Sequence, residues 1–377
     1  MSVSLSDLLE GERPPRLRPR RDDRPSWPTS LGFGLILAAV AGAVAFAMAP
    51  SPYVVERPGP VYDTLGEVAN ADGDEVPLID IPDETTYPTS GRLDLLTVYL
   101  DGSRENPLSW LDVAQAWFDP SRTVLPIDLV FPEGQTDEEA DEESAIQMDT
   151  SQQDAVAAAL TELGVPYGSV LTIAGVIDGT PADGVLEEGD ELLTAAGRPV
   201  ADVDDLKAVL GDAGVGTEVR LGIRRDDEEL TVALVPVASE SDGSPVIGVY
   251  ASAAYDFPFD VQIRLDNVGG PSAGMMFALG IFDKLTPGEL TADEHIAGTG
   301  TIDGAGEVGA IGGIVQKMYG AQAAGADWFL APESNCSEVV GRIPSGLEVF
   351  AVATLDDAIA AVEAIAADDT ADLARCS

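Results

Sequence analysis

The sequence predicts an α+β fold: a mixed helix-and-strand body, a compact β-rich unit inserted within it or docked beside it, and one apolar helix in front. Three observations carry this. Residues 31–49 run nineteen positions without a charge, and none follows before Glu56. Residues 167–238 consist of short strand-like runs broken by glycine and proline, with one short amphipathic helix, the pattern of a small β-rich unit. Residues 245–366 alternate instead between short strand-like runs and longer helical ones, which makes a second, mixed unit.

The 377 residues exceed one typical domain and can bury two modest cores. There are 66 acidic residues against 20 basic ones, a net charge of −46. Phosphate contact needs basic surface, so no nucleic acid is expected as a partner. The acidity serves solubility or adaptation to high salt, and the sequence leaves both open.

Residues 1–30 hold six arginines (Arg13, Arg16, Arg18, Arg20, Arg21, Arg24) among prolines and acidic residues. That composition cannot form a core and reads as a disordered cytoplasmic tail. Residues 31–49 are long enough to cross a bilayer as a transmembrane helix. With arginines before the segment and only Arg57 soon after it, the N-terminus is expected inside. The chain is then a single-pass cell-membrane protein whose body is extracytoplasmic. Ala47-Met48-Ala49 also resembles a signal-peptide cleavage site, but the apolar run is longer than most such cores, which favours an uncleaved anchor.

Residues 53–163 form the N-terminal part of the larger region. Tyr53–Pro60 is expected extended, and Leu93–Leu100 is a strand with one apolar face. Gly134–Glu143 reads as an acidic, solvated loop. Gln153–Leu163 is a helix with Val156, Leu160 and Leu163 on one side, ended by Gly164 and Pro166. The acidic run lacks the alternating carboxylates and central glycine of a calcium loop. No His/Cys cluster has zinc-ligand spacing, so no metal is expected.

In residues 167–238, Val170–Val176 is a strand, and Asp202–Leu210 is a short helix bearing Val203, Leu206 and Leu210. Glu218–Arg224 and Glu229–Val235 are strands joined by the charged turn Arg225–Glu228. With Gly168, Thr180-Pro181-Ala182, Glu188-Gly189-Asp190 and Ala196-Gly197-Arg198-Pro199 in their places, this unit resembles a PDZ domain of the bacterial protease type. The resemblance implies capture of an extended peptide by its free C-terminus, the peptide adding as a strand beside an exposed edge. By position the capturing loop is Tyr167-Gly168-Ser169 and the peptide pairs along Val170–Gly175. Gly168, Ser169 and Val170 are thus the expected substrate-binding residues. A PDZ unit without a peptide ligand is the alternative.

Within residues 245–366 the chemistry gathers between Gly269 and Lys317. Phe259, Val261, Ile263 and Leu265 alternate with Asp260, Gln262, Arg264 and Asp266, as in a half-buried strand. The chain then turns through Gly269-Gly270-Pro271 into an apolar helical run, Ser272–Phe282. Proline suits a helix start, so Ser272 falls in the first turn, among unpaired N–H groups where an oxyanion could be held. Lys317, one of three lysines, lies in a second helical stretch, 313–325, on one stripe with Ile314, Met318, Ala321 and Ala324. Facing the core, its ammonium loses solvation and its pKa falls. A neutral lysine can take the proton of a serine hydroxyl. On spacing alone, a capping serine and a snorkelling lysine would explain the same residues.

GPSAG at 270–274, TGTI at 299–302, and IGGIVQK followed by AAGA within 311–326 resemble the catalytic core of Lon-type peptidases, in the same order and at similar spacings. The resemblance covers roughly 245–366, and more weakly 53–163. It implies that Ser272 is the nucleophile, Lys317 its general base and Thr299 a supporting residue beside the lysine. Strands at Asp327–Ala331 and Val349–Val352 and a helix opened by Thr354-Leu355-Asp356-Asp357 complete the domain, with 367–377 as a C-terminal tail.

Together the two units resemble the small Lon-like PDZ peptidases of bacteria. That implies a membrane-anchored, ATP-independent serine endopeptidase acting on exported or membrane proteins with free C-termini. No phosphate-binding glycine loop ending in Gly-Lys-Ser or Gly-Lys-Thr occurs in these residues, so neither nucleotide nor any other cofactor is expected. Lon-type domains often form rings, and the resemblance therefore also implies a homo-oligomer.

Two alternatives stand beside this reading. Gly270–Gly274 also fits the nucleophile elbow of α/β-hydrolases, whose histidine comes late in the chain. Here the single histidine, His295, follows after only a short helix and loop, and is expected as a surface loop residue. The other alternative is a catalytically silent PDZ adaptor on the same fold. Finally, Cys336 and Cys376 are the only cysteines, and outside the cytoplasm a disulfide between them would persist. It would close a loop of about 40 residues and tie down the tail, worth roughly 3–4 kcal/mol.

Overall fold

The computed structural model describes residues 27–377, leaving out 71–72, 132–133, 135, 178, 240–242, 266–267 and 377, and the side chains of 27–30 and 204. The expected tail at 1–30 lies outside the described residues except for the first positions of α1, Trp27–Ala47. Among the described residues no helix is long and apolar enough to cross a membrane. The described side chains of α1 begin at residue 31, which leaves 31–47, at the short end of a bilayer span. Along it Leu35, Ile36, Leu37, Val40, Val44 and Phe46 are all exposed.

The larger body is built on a mixed sheet whose strands come from both ends of the chain. β1 (Tyr53–Asp63), β2 (Arg92–Asp101) and β3 (Thr123–Pro126) join strands from beyond residue 290. With β9 (His295–Gly298), β10 (Trp328–Pro332) and β11 (Glu348–Val352), they take the order β11–β10–β9–β2–β1–β3. From β2 to β11 the strands are parallel, whereas β1 is antiparallel to both its neighbours. Pro58 and Pro60 offer no donor to a ladder, and the β1–β2 register shifts between Pro58 and Val61.

Alternating residues of these strands feed two cores, one on each face. Leu93, Leu95, Leu330 and Phe350 pack with Met275, Phe277 and Leu279 of α6 (Gly274–Leu285) and with Ile359 and Val362 of α9 (Leu355–Ala366). Leu96, Ala297, Phe329 and Val349 face the other way. They pack with Ile314 and Met318 of α7 (Ile314–Ala324) and Val339 of α8 (Cys336–Val339). Burying each large side chain contributes roughly 1.5–3 kcal/mol against solvent. Helices thus cover both faces of the sheet.

Between β2 and β3 stands the short α2, Trp110–Ala116; the one-turn α3, Ile127–Val130, follows β3. The acidic stretch expected as a loop at 134–143 is instead the start of a long helix, α4, Asp137–Glu162. Thr136 and Glu139 close a capping box there, and Asp137, Glu138 and Glu139 occupy the first turn. Carboxylates next to free N–H groups at a positive helix end stabilise that end. α4 is buried at Met148 and Ser151 and then along Ala155–Leu160, while its first turns stay out of the core.

The β-rich unit interrupts this body and is therefore inserted in it. Its strands β4 (Gly168–Val176), β5 (Glu191–Ala195), β6 (Val219–Arg225) and β7 (Glu228–Leu234) pack with α5 (Val203–Ala213) around Leu171, Leu192, Leu206, Leu221 and Ile223. Asp190 is buried and held by Arg225 at 2.6 Å through both carboxylate oxygens, so the acidic turn of the PDZ-like motif serves the fold. One strand comes from beyond the expected boundary at 238. β8, Val249–Asp256, pairs antiparallel with β4 and forms the edge of this sheet, although the expected division gave it to the second domain.

At the C-terminus, Cys336 and Cys376 form a disulfide across 40 residues. The tail docks along β11: Ala351 N–H donates to the Ala374 carbonyl at 2.9 Å, and Arg375 pairs with Glu348 at 2.8 Å.

Candidate active site

Gly270, in the left-handed region at φ 82°, turns the chain ahead of α6. The helix begins at Gly274 with Ala273 as its N-cap, so Ser272 lies just outside the first turn rather than in it. The turn is held from two sides. The Gly270 N–H donates to the Ser144 carbonyl at 2.8 Å and Ser151 Oγ donates to the Pro271 carbonyl at 2.9 Å, both from α4. From within, Thr299 Oγ1 donates to the Ser272 carbonyl at 2.8 Å and the Gly300 N–H reaches it at 3.0 Å.

Lys317 comes from the opposite layer. Gly313 caps α7 at φ 70° and Gly325 ends it at φ 88°, the two ends that the sequence stretch 313–325 anticipates. A side chain at Gly313 would meet Val98 at 2.9 Å, so glycine is needed for α7 to lie close on β2. Lys317 is then 1% exposed, with Nζ 2.7 Å from Ser272 Oγ and 2.9 Å from Thr299 Oγ1.

Burial pulls the lysine down to about 7, against an opposing contribution from Glu56 on β1. Burial likewise pushes the Glu56 carboxyl above its usual range, reinforced by Glu338 and opposed by Lys317. A neutral Nζ has one lone pair. When an N–H of Nζ donates to Thr299, whose own O–H is committed to the Ser272 carbonyl, that lone pair is left for the Ser272 hydroxyl.

The pair forms the floor of a cleft of about 520 Å³ walled by Pro60, Tyr62, Leu96, Val98, Met148 and Val268. A larger hollow of about 940 Å³ shares Tyr62 and runs toward Gln152 and Leu265, but no nucleophile lines it. The walls at the dyad are largely apolar, which keeps water from the lysine.

Two expectations are corrected here. His295 is not in a surface loop. It sits on β9, and its Nε2 is 2.6 Å from Asp94, which is fully buried. It begins the strand whose other end leads to Thr299, about four residues or ~13 Å of strand away, so no serine–histidine pair forms with Ser272. Gly168, Ser169 and Val170 do begin a strand, but β4 lies inside the sheet. These residues pair with Asp256, Tyr255 and Ala254 of β8, and β5 pairs with β4 farther on, at Leu171 and Thr172. β8 covers one side of these residues; the end strands of this sheet are β7 and β8, and β8 lies beside α5. Sequence reasoning did not single out Glu56, Ser144 or Ser151, because nothing local marks contacts that span 120 residues, as from Ser151 to Pro271.

Two stretches of the chain match known families. Residues 267–364 match the Lon protease (S16) C-terminal proteolytic domain and residues 145–235 match the PDZ domain. Lon protease 2 of Bacillus subtilis is 32% identical over 104 residues, 27% of this chain and 18% of that one. Lon protease 1 of Sorangium cellulosum is 38% identical over 94 residues, covering 24% and 11%. The magnetosome formation protease MamE of Paramagnetospirillum magneticum is 39% identical over 75 residues, covering 20% and 10%. The chain thus spans less than a fifth of the length of these relatives. Residues 267–364 are thus similar to the proteolytic domain of Lon-type serine peptidases, and residues 145–235 are similar to a PDZ domain.

Proposed function

We propose that this protein is a membrane-anchored, ATP-independent serine endopeptidase that cuts exported or membrane proteins brought to it by the PDZ domain. The observation that carries the catalytic part is the 2.7 Å approach of a buried lysine to the Ser272 hydroxyl. Neutral Lys317 takes the Ser272 proton as Oγ attacks the peptide carbonyl. The tetrahedral oxyanion forms in front of α6, where N–H groups and the positive helix end favour negative charge. The resulting ammonium gives its proton to the leaving amine, and Lys317 then activates the water that releases the acyl group from Ser272.

The PDZ domain fits the capture of an extended C-terminal peptide by strand addition, with β8 as the acceptor edge in place of β4. β8 runs on into the segment that ends at Ser272. Tyr255 Oη donates to Asp154 of α4 at 2.9 Å and stacks on Phe257 at 5.3 Å. A peptide on β8 therefore lies on the same stretch of chain as the nucleophile.

The anchor part of the reading rests on the uncharged residues 31–49 and the arginines before them. It places the body outside the cytoplasm, where ATP is scarce. A homo-oligomer belongs to the reading on the Lon-type resemblance alone. The test is cleavage of casein by the full chain in lipid vesicles without nucleotide. Wild type should cleave it and Ser272→Ala should not; activity that requires ATP would overturn the ATP-independent part.

A further inference from the structure

We propose that the face made by α2 and α3 lies in the lipid headgroup layer, so that the catalytic body is laid against the bilayer beside α1. This rests on the anchor reading. α2 begins where α1 ends: Phe46 of α1 stacks on Trp110 at 5.6 Å and 15°, the Trp110 N–H donates to the Ala49 carbonyl, and the Ser51 N–H donates to the Leu108 carbonyl. Tyr53 packs edge-on against both Trp110 and Trp117. The surface of α2 and α3 is therefore fixed at the depth where the apolar run gives out.

Large apolar side chains crowd this face. Phe118 is 90% exposed, Leu129 75%, Trp117 60% and Leu111 50%. An acidic, water-facing body has no use for such a cluster, and patches of this kind mark contact surfaces. Tryptophan and phenylalanine with a wet rim are the residues that settle at a membrane–water boundary. Two of the three carboxylates within 107–131 are also paired with arginines. Asp119 pairs with Arg122 at 3.1 Å, Asp128 pairs with Arg104 at 2.7 Å, and Asp112 is taken up by Ser109. In a chain of net charge −46, this face thus brings to the lipid one carboxylate without an arginine beside it, Asp112. The face turned toward the membrane would hold the active-site cleft at a fixed height, suited to substrate segments that emerge close to the bilayer.

The test uses the full chain, with Trp27→Phe and Trp328→Phe so that only Trp110 and Trp117 report, reconstituted in phosphatidylcholine vesicles brominated near the glycerol end of the acyl chains. The expected result is a loss of tryptophan emission of roughly twofold or more, as for rings at headgroup depth, with protection from aqueous iodide. Adding Phe118→Asp and Leu129→Glu should reverse both effects while cleavage of a soluble peptide and flotation with the vesicles are kept. Protein that floats but whose tryptophans are unquenched and open to iodide overturns the proposal and leaves the anchor standing. Protection without quenching, with cross-links between copies at position 117, assigns the face to a second copy and also overturns it. Protein that does not float overturns the anchor itself and this surface with it.

Discussion

Thr299 and Ser272 are tied through the backbone: Oγ1 of the threonine donates to the carbonyl of the serine at 2.8 Å and lies 2.9 Å from Lys317 Nζ. One hydroxyl therefore fixes the nucleophile and orients the base. Thr299→Val keeps the shape and removes the hydroxyl, so kcat should fall roughly tenfold to a hundredfold, the usual loss when a reacting pair is slightly misplaced. KM should change little, and Thr299→Ser should restore most of the rate. Steady-state kinetics on a peptide substrate check this.

Glu56 opposes the burial that depresses the lysine. Removing its charge in Glu56→Gln takes away a contribution that raises the Lys317 pKa, so the acid limb of the rate profile should move to lower pH. The measurement is kcat/KM against pH for wild type and variant. A limb that stays in place or moves upward would show that Glu56 does not act on the base.

Lys317 also carries a stability cost whose pH dependence has a definite sign. Its folded value of about 7 lies below the ordinary lysine value of 10.5, so between those limits the unfolded chain binds more protons and stability rises with pH. Below about 7 the charged, buried lysine carries the full penalty, on the order of 4–5 kcal/mol from that difference. Lys317→Met should therefore be inactive yet more stable than wild type. The gain should be largest below pH 7 and shrink as pH rises, read from denaturant melts across pH.

The Cys336–Cys376 bridge closes 40 residues, and its loss should destabilise the protein by roughly 3–4 kcal/mol on the chain-entropy model. Cys376→Ser should free residues 367–377, which amide exchange would report as lost protection at Ala351, whose N–H bonds to Ala374.

These sites differ in how far local sequence could reveal them. The ends of α7 were legible because Gly313 and Gly325 both need left-handed backbone, and the dyad was legible because three separated motifs agree with one family. The sequence predicts only the last turns of α4, at 153–163: its first turns are acidic and exposed, and polarity alone suggests a loop. The capping box at Thr136 and Glu139 was the available sign. The sequence division assigns β8 to the second domain, whereas it pairs with β4, because which edge a strand completes depends on long-range pairing. Its run, YASAA, carries little apolar signal. For His295 the sequence suggests a loop, since a polar residue at a strand start looks exposed. Its partner Asp94 is 201 residues away, beyond any local pattern.

The central claim is that neutral Lys317 is the base for Ser272, and Lys317→Arg measured against pH tests it most directly. Guanidinium keeps the length and the hydrogen bonds but does not deprotonate at usable pH. The wild type should show kcat/KM rising through an apparent pKa near 7, His295→Ala should follow the same profile, and Lys317→Arg should show no turnover at any pH. An arginine variant with near-native rates, or a wild-type profile abolished by His295→Ala, would contradict the account.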